Sequence, residues 1–242
     1  MTTAAYDQIA DWYDNIRSGE WDPIQIEQSL LDLIGDVSGQ SVCDLACGQG
    51  VMARALTERG AKVTGIDISA RLLEIAHRYE SEDPLGIEYV QDDAHELSKI
   101  PDESFDGVVC VWALMDIPDA EATLTSVARV LRPGGWFVMC ITHPCFYSPD
   151  SSDAVDEDGI PVREVRHYFD EGFWVSNTSN PKSVRAKVGA HHRTLSAYLN
   201  AITDAGLVLD RVVEPQNTDL IEEPVPHSRP VPLALFMRCH KG

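Results

Sequence analysis

The chain has 242 residues, of which 44% are hydrophobic and 24% are charged, and its formal net charge at pH 7 is −20. This length and composition are typical of one globular domain with a sizeable core. The negative charge disfavours nucleic acid and anionic membrane surfaces as partners. Adaptation to high salt or selection for solubility would produce the same charge.

The N-terminal sequence and the cysteines predict a cytoplasmic protein. Residues 1–7 have neither a basic start nor an apolar run, so we expect no signal peptide. No segment approaches the length that crosses a bilayer. The six cysteines form no CxxC pair, and buried, reduced thiols account for them most simply.

Helices and strands alternate through the first 142 residues. Residues 5–34 have a helical period, with Tyr6 and Tyr13 on one face. Strands are predicted at 41–46, 61–67, 87–91, 105–112 and 136–142, with helices between them. Because these strands are apolar on both sides, we expect a parallel sheet covered on both faces.

The alternation breaks after residue 145. The acidic run 150–159 predicts a solvated loop, and residues 162–169, 173–176 and 183–188 predict short strands. From 162 to 193, six basic residues stand against three acidic ones, a local charge of +3 that favours an anionic or aromatic ligand. A helix at 194–205 and strands at 207–214 and 233–239 are then predicted.

The first strand runs into Gly48-Gln49-Gly50 and then into a helix. Free backbone N–H groups and the positive end of the helix dipole favour a bound anion at such a turn. The segment 48–53 also satisfies the dinucleotide fingerprint G-x-G-x-x-A, and Asp67 ends the second strand, where a carboxylate accepts hydrogen bonds from ribose. A nicotinamide-dependent oxidoreductase therefore stays open at this point.

Three further features favour a different nucleotide. Asp44 lies inside the first strand, where it suits a ligand with positive charge and is unhelpful beside a pyrophosphate. Asp93 and Ala94 end the third strand, where a carboxylate and an N–H group match the edge of adenine. The chain also contains no Tyr-x-x-x-Lys pair for hydride chemistry.

Taken together, residues 42–50, 63–67, 91–97, 105–112 and 129–135 resemble the class I S-adenosylmethionine-dependent methyltransferases. Residues 6–14 resemble their opening lid helix. The resemblance implies an α/β, doubly wound, seven-stranded and mostly parallel sheet of Rossmann-like type, with the last strand antiparallel. The fourth strand lacks an Asn/Asp-Pro-Pro-Tyr sequence, which disfavours nucleobase and glutamine amide nitrogen as acceptors.

We therefore predict a single methyltransferase domain over 1–242, with an N-terminal helical lid at 1–36 and an inserted substrate lid at 146–192. The resemblance implies methionine-end contacts at the glycine loop, ribose on Asp67, and adenine between Ile68 and the turn at Asp93. The predicted S-adenosylmethionine-binding residues are Tyr13, Asp44, Ala46, Gly48, Gly50, Asp67, Ile68, Asp93, Ala94, Val111 and Trp112.

The predicted reaction is methyl transfer to an O, N or C nucleophile of a small molecule. His143 and His192 are candidate bases, although a structural role is favoured over a catalytic one for each imidazole. The predicted substrate residues are Met115, Phe146, Tyr168, Trp174 and His191. No His/Cys spacing supports a metal site, and we expect a monomer or homodimer. A catalytically silent S-adenosylmethionine-binding subunit remains an alternative.

Overall fold

The computed structural model describes residues 4–17, 24–181, 183–215 and 231–242. Its centre is a seven-stranded sheet whose order, β10-β11-β5-β4-β1-β2-β3, reverses between β1 and β4. Strand β11 is antiparallel to both of its neighbours, while the other pairs are parallel. The seven strands are β1 (Ser41–Leu45), β2 (Lys62–Asp67), β3 (Glu88–Gln91), β4 (Phe105–Val111), β5 (Leu131–Thr142), β10 (Leu207–Val213) and β11 (Ala234–Lys241). The predicted sheet is confirmed.

Helices cover both faces of this sheet, as the two-sided apolar strands predict. In β5, Phe137 and Met139 join a core with α5 and α7, whereas Val138 and Cys140 join a second core with α2 and α3. Side chains alternate along a strand, so one strand contributes to both cores. The helices are α1 (Ala10–Arg17), α2 (Ile24–Ile34), α3 (Val51–Glu58), α4 (Ala70–Glu82), α5 (Ala120–Val130), α6 (Val184–Val188) and α7 (Leu195–Asp204).

The inserted segment departs from the prediction in two places. The acidic run forms a hairpin of β6 (Ser152–Val155) and β7 (Pro161–Glu164), closed where the Asp156 carboxylate accepts hydrogen bonds from the N–H groups of Asp158 and Ile160. Residues 184–188 form α6 and not the predicted strand, because the Ser183 hydroxyl accepts a hydrogen bond from Ala186 N–H and caps a helix there.

A second small hairpin pairs β8 (Gly172–Trp174) with β9 (Ala190–His192). The segment predicted as an N-terminal lid begins with a 3₁₀ helix (Ala5–Gln8) that leads into α1. All six cysteines are free thiols. Within the described ranges, no helix has the length and apolar character needed to cross a bilayer.

Candidate functional site

A cavity of about 590 Å³ lies at the carboxyl ends of β1, β2 and β4. This is the switch point of the sheet, where open α/β folds bind ligands. The 3₁₀ helix and α1 contribute to one wall, and the β8–β9 hairpin contributes to another. The structure brings these predicted residues to the cavity: Tyr13, Asp44, Ala46, Gly48, Asp67, Ile68, Asp93, Val111, Trp112 and His191.

Asp67 connects the glycine loop to the end of β2. One carboxylate oxygen accepts a 2.8 Å hydrogen bond from Gly48 N–H, and the other accepts a 2.8 Å bond from Ser69 N–H. Burial raises the pKa of Asp67, and these two N–H groups oppose that shift. The Asp67 carboxylate is thus held in one orientation at the cavity wall.

Asp44 is a buried acid with an unsatisfied oxygen. Its side chain is only 2% exposed, and Oδ2 has no hydrogen-bond partner among the described residues. Burial raises the pKa of Asp44 to about 8, and a hydrogen bond with the backbone of Ala53 opposes this rise. An unpaired, buried carboxyl oxygen beside a cavity suits a ligand that brings positive charge.

The two glycines of the turn have different surroundings. Both have positive φ, +56° at Gly48 and +86° at Gly50. A Cβ on Gly48 would meet nothing nearer than the Leu72 side chain at 3.9 Å, whereas a Cβ on Gly50 would overlap the Tyr89 hydroxyl. Gly50 is outside the cavity lining. The packing of Tyr89 therefore requires glycine at position 50. The predicted contact between Gly50 and the cofactor is not supported.

The two neighbouring acids that follow β3 have different roles. Asp92 accepts hydrogen bonds from the N–H groups of Asp93 and Lys99, so its role is to close the local turn. Asp93 lines the cavity together with Ile68, as predicted. Ala94 is buried in the core beneath and is absent from the lining.

Aromatic side chains also line the cavity. Tyr6 and Tyr13 come from the predicted N-terminal lid and make an edge-on ring contact of 5.2 Å. Trp112 follows β4 and Phe173 belongs to β8. Phe173, and not the predicted Trp174, lines the cavity, because consecutive residues of a strand point to opposite sides.

Four more predicted residues lie away from the cavity lining. Neither His143 nor His192 reaches it: His143 Nε2 lies 2.8 Å from Glu214 Oε1, and His192 Nε2 lies 2.8 Å from the Tyr168 carbonyl. Phe146 packs on the His143 ring, 4.6 Å between centroids. Tyr168 accepts a hydrogen bond from Leu195 N–H. These contacts are structural, and the predicted catalytic role of the two histidines has no support in their placement.

Met115 contacts the predicted substrate residue His191 through its backbone and not through its side chain. The side chain is buried in the core, while the carbonyl oxygen accepts a 2.7 Å hydrogen bond from His191 N–H. The next residue, Asp116, lines the cavity and was missed by the sequence reasoning. Asp116 lies in the loop after β4, as Asp67 lies at the end of β2. An acid near the carboxyl end of a strand is therefore the pattern that could have identified it.

The described basic residues from 163 to 193 contact other groups of the protein. Arg163 pairs with Asp153, Arg166 with Glu164, and Arg185 with Asp116. Arg193 donates to backbone carbonyl groups after β4, and Lys187 lies over the Trp12 ring. The sixth basic residue, Lys182, lies outside the described residues. In the part of the chain that is described, no group of three or more His, Cys, Asp or Glu side chains is arranged to hold a metal ion.

Comparison with known proteins agrees with this geometry. Residues 43–139 match the family model described as a methyltransferase domain. An S-adenosylmethionine-dependent methyltransferase from Mesorhizobium loti superposes with a TM-score of 0.74 at 28% identity, covering 89% of this chain and 97% of that one. Residues 43–139 of the chain belong to the methyltransferase domain family. A second such structure, from Listeria monocytogenes, matches the domain with a TM-score of 0.73 at 26% identity, covering 91% of this chain and all of that one.

A curated relative of the methyltransferase domain is the ubiquinone biosynthesis O-methyltransferase of Chromobacterium violaceum. It is 32% identical over 136 residues, which are 54% of this chain and 58% of the relative. The match thus spans little more than half of either protein.

The residues of the cavity fit S-adenosylmethionine, the cofactor of this class of methyltransferase domain. This molecule brings a sulfonium and an ammonium group, and the unpaired Asp44 oxygen lies at the wall. It also brings a ribose and an adenine, which match the carboxylates at Asp67 and Asp93. The open space beside Gly48 leaves the backbone accessible.

Proposed function

We propose that this chain transfers a methyl group from S-adenosylmethionine to a small-molecule acceptor. The observation that carries the proposal is that two chemically different sets of side chains line one cavity, and we call these sets its inner and outer halves. Three acids from the ends of β1, β2 and β3 line the inner half, namely Asp44, Asp67 and Asp93. Aromatic side chains from both lids line the outer half.

The inner half matches the cofactor group by group. Asp67 would accept hydrogen bonds from the ribose hydroxyls, each charge-assisted bond contributing roughly 1.5–3 kcal/mol. Ile68 and Asp93 would hold the adenine ring and its amino group. Gly48 and Asp44 would face the methionine end, where the carboxyl oxygen left unpaired in the protein gains a cationic partner.

The outer half would position the acceptor. When bound, S-adenosylmethionine supplies an already activated methyl group, so the main task of the protein is to hold the acceptor nucleophile in line with it. Such positioning contributes on the order of 7–11 kcal/mol at best. Tyr13, Trp112 and Phe173 offer ring faces and edges for this purpose.

Two observations favour a small and uncharged acceptor. Residues of both predicted lid segments line a cavity of about 590 Å³, a volume that suits a small molecule, and the net charge of −20 repels nucleic acid. The arginines of the insertion are engaged by carboxylates or carbonyl groups, so they do not offer a free anion site. The relatives named for O-methylation in ubiquinone biosynthesis point to the same class of acceptor.

Calorimetric titration with S-adenosylmethionine and, separately, with NAD⁺ tests the cofactor half. We expect heat only from the methyl donor, and a signal from NAD⁺ alone would favour an oxidoreductase. Asp67→Asn should weaken donor binding by about tenfold or more, equivalent to the loss of about 1.4 kcal/mol. Glu58→Gln, an exposed acid at the end of α3, is the control.

Turnover separates an enzyme from a silent binding subunit. Radiolabelled methyl donor incubated with a panel of small phenols, amines and carbon acids should label at least one acceptor. Binding of the donor with no labelled product from any class would favour the silent subunit.

A further inference from the structure

Among the described residues, two histidines line the cavity, and their ring nitrogens are used differently. His95 Nε2 accepts a hydrogen bond from Asp119 N–H, and its Nδ1 lies 3.1 Å from the Asp93 carboxylate. Both nitrogens of His95 are therefore engaged. For His191, no hydrogen bond or ion pair joins either ring nitrogen to another described residue; its contacts are a backbone bond and a ring contact.

The backbone holds the His191 ring at the outer half of the cavity. His191 N–H donates to the carbonyl oxygen of Met115, which lies in the loop after β4. Across the β8–β9 hairpin, His191 is opposite Phe173, and their ring centroids are 5.2 Å apart. The imidazole is thus positioned by contacts that leave its nitrogens available.

The surroundings keep this imidazole neutral. Burial and then the positive charge of Arg193 lower the pKa of His191 below its usual value of about 6.5. Acids on the neighbouring elements are occupied: Asp116 by Arg185 and Tyr6, and Glu171 by Thr194. A neutral ring with an available nitrogen is the form that accepts a proton.

We propose that His191 is the general base of this site and that the acceptor is a phenolic hydroxyl group. As the acceptor oxygen bonds to the methyl carbon, the carbon–sulfur bond breaks and its electron pair remains on sulfur as a neutral thioether. The hydroxyl proton passes to a ring nitrogen of His191 and then to water. This inference rests on the proposed methyl transfer and deepens it.

The choice of a hydroxyl over an amine follows from what a base contributes. A neutral amine attacks with its own lone pair, whereas a hydroxyl oxygen is a poor nucleophile until its proton is taken. Phe173 beside the imidazole and Trp112 at the end of β4 favour a planar ring on that hydroxyl. A phenol satisfies both requirements.

The probe for the test is 4-nitrocatechol, whose absorbance reports whether its hydroxyl group is ionised. We expect the wild-type protein with S-adenosylhomocysteine to shift the bound probe to its phenolate at a pH where the free probe is protonated. With S-adenosylmethionine the probe should be methylated. His191→Gln should lose the spectral shift and lower kcat by about 10²–10⁴-fold, with little change in KM.

Controls separate a base from a structural residue. His77→Gln, on the exposed side of α4, should behave as wild type. His191→Gln should keep its affinity for S-adenosylhomocysteine, and His191→Ala should regain turnover with added imidazole. If His191→Gln does not fold, the rescue of His191→Ala decides the matter.

The outcomes are distinguishable from failure of the proposed function. A wild-type protein that does not bind S-adenosylhomocysteine refutes methyl transfer itself. One that binds it but neither ionises nor methylates 4-nitrocatechol overturns the phenolic acceptor. Wild-type kcat in His191→Gln, or no imidazole rescue in a folded His191→Ala, overturns the role of His191 as base.

Discussion

The Asp116 carboxylate binds the Arg185 guanidinium on one oxygen and accepts a 2.8 Å hydrogen bond from the Tyr6 hydroxyl on the other. Tyr6 belongs to the predicted N-terminal lid, Arg185 to the predicted inserted lid, and Asp116 to the loop after β4. One side chain at the cavity wall therefore joins both segments to that loop. Burial, and then the Asp116 charge, raise the pKa of Tyr6, so its hydroxyl remains a donor.

Replacing Asp116 by Asn should loosen both lids. The change leaves the partly buried Arg185 guanidinium without its counter-charge, and the loss of a hydrogen bond to a charged group costs about 1.5–3 kcal/mol. Hydrogen exchange should accelerate in residues 5–17 and 184–188, and the free energy of unfolding should fall. Asp102→Asn removes an exposed ion pair with Arg129 and should cost at most about 1 kcal/mol. Unchanged exchange in both lids would contradict the joint role of Asp116.

Asp44 should make stability decrease as pH rises. The pKa of Asp44 is about 8 in the folded protein, because of burial, and about 3.9 in the unfolded chain. The folded state therefore holds a proton that the unfolded state releases, and its contribution to stability is full below pH 4 and is lost as pH rises through about 8. Asp44→Asn should remove this dependence and stabilise the protein above pH 8 by at least about 1–3 kcal/mol. Thermal unfolding across this pH range measures both effects.

The Asp44 carboxyl group should also couple cofactor binding to proton release. A cationic ligand favours the ionised form of Asp44, so affinity for S-adenosylmethionine should increase with pH up to about 8. Calorimetry in buffers of different ionisation enthalpy should detect the released proton below that pH. Asp44→Asn should bind more weakly and release none. Proton release that persists in this variant would assign the effect to another group.

The two glycines of the turn should respond differently to alanine. Gly50→Ala forces a Cβ onto the Tyr89 hydroxyl at a positive φ, so we expect a loss of stability of more than about 1–3 kcal/mol. Gly48→Ala meets only the backbone cost, roughly 1 kcal/mol, but it narrows the cavity wall and should weaken donor binding. Chemical denaturation and calorimetry on both variants test this contrast. Equal effects on binding would mean that Gly50 also contacts the ligand.

The inner half of the site could be predicted from the sequence because its residues belong to elements that follow one another closely along the chain. A strand, a glycine turn and a helix recur at short spacing, and each strand ends in a polar residue such as Asp67 or Asp93. Parallel strands bring their carboxyl ends to one edge of the sheet, so spacing alone places these side chains together. The fold class follows from the same alternation.

The acceptor half was decided by tertiary structure. Residues 183–188 alternate like a strand, yet the Ser183 cap and the packing of the insertion make them a helix. Whether Phe173 or Trp174, or His191 or His192, faces the cavity depends on the register of one short hairpin, since a shift of one residue reverses every side chain. Asp116 meets Arg185 across 69 residues, a contact that no local pattern encodes. The order of strands and helices along the chain thus determines where the cofactor binds, and long-range packing determines which side chains face it.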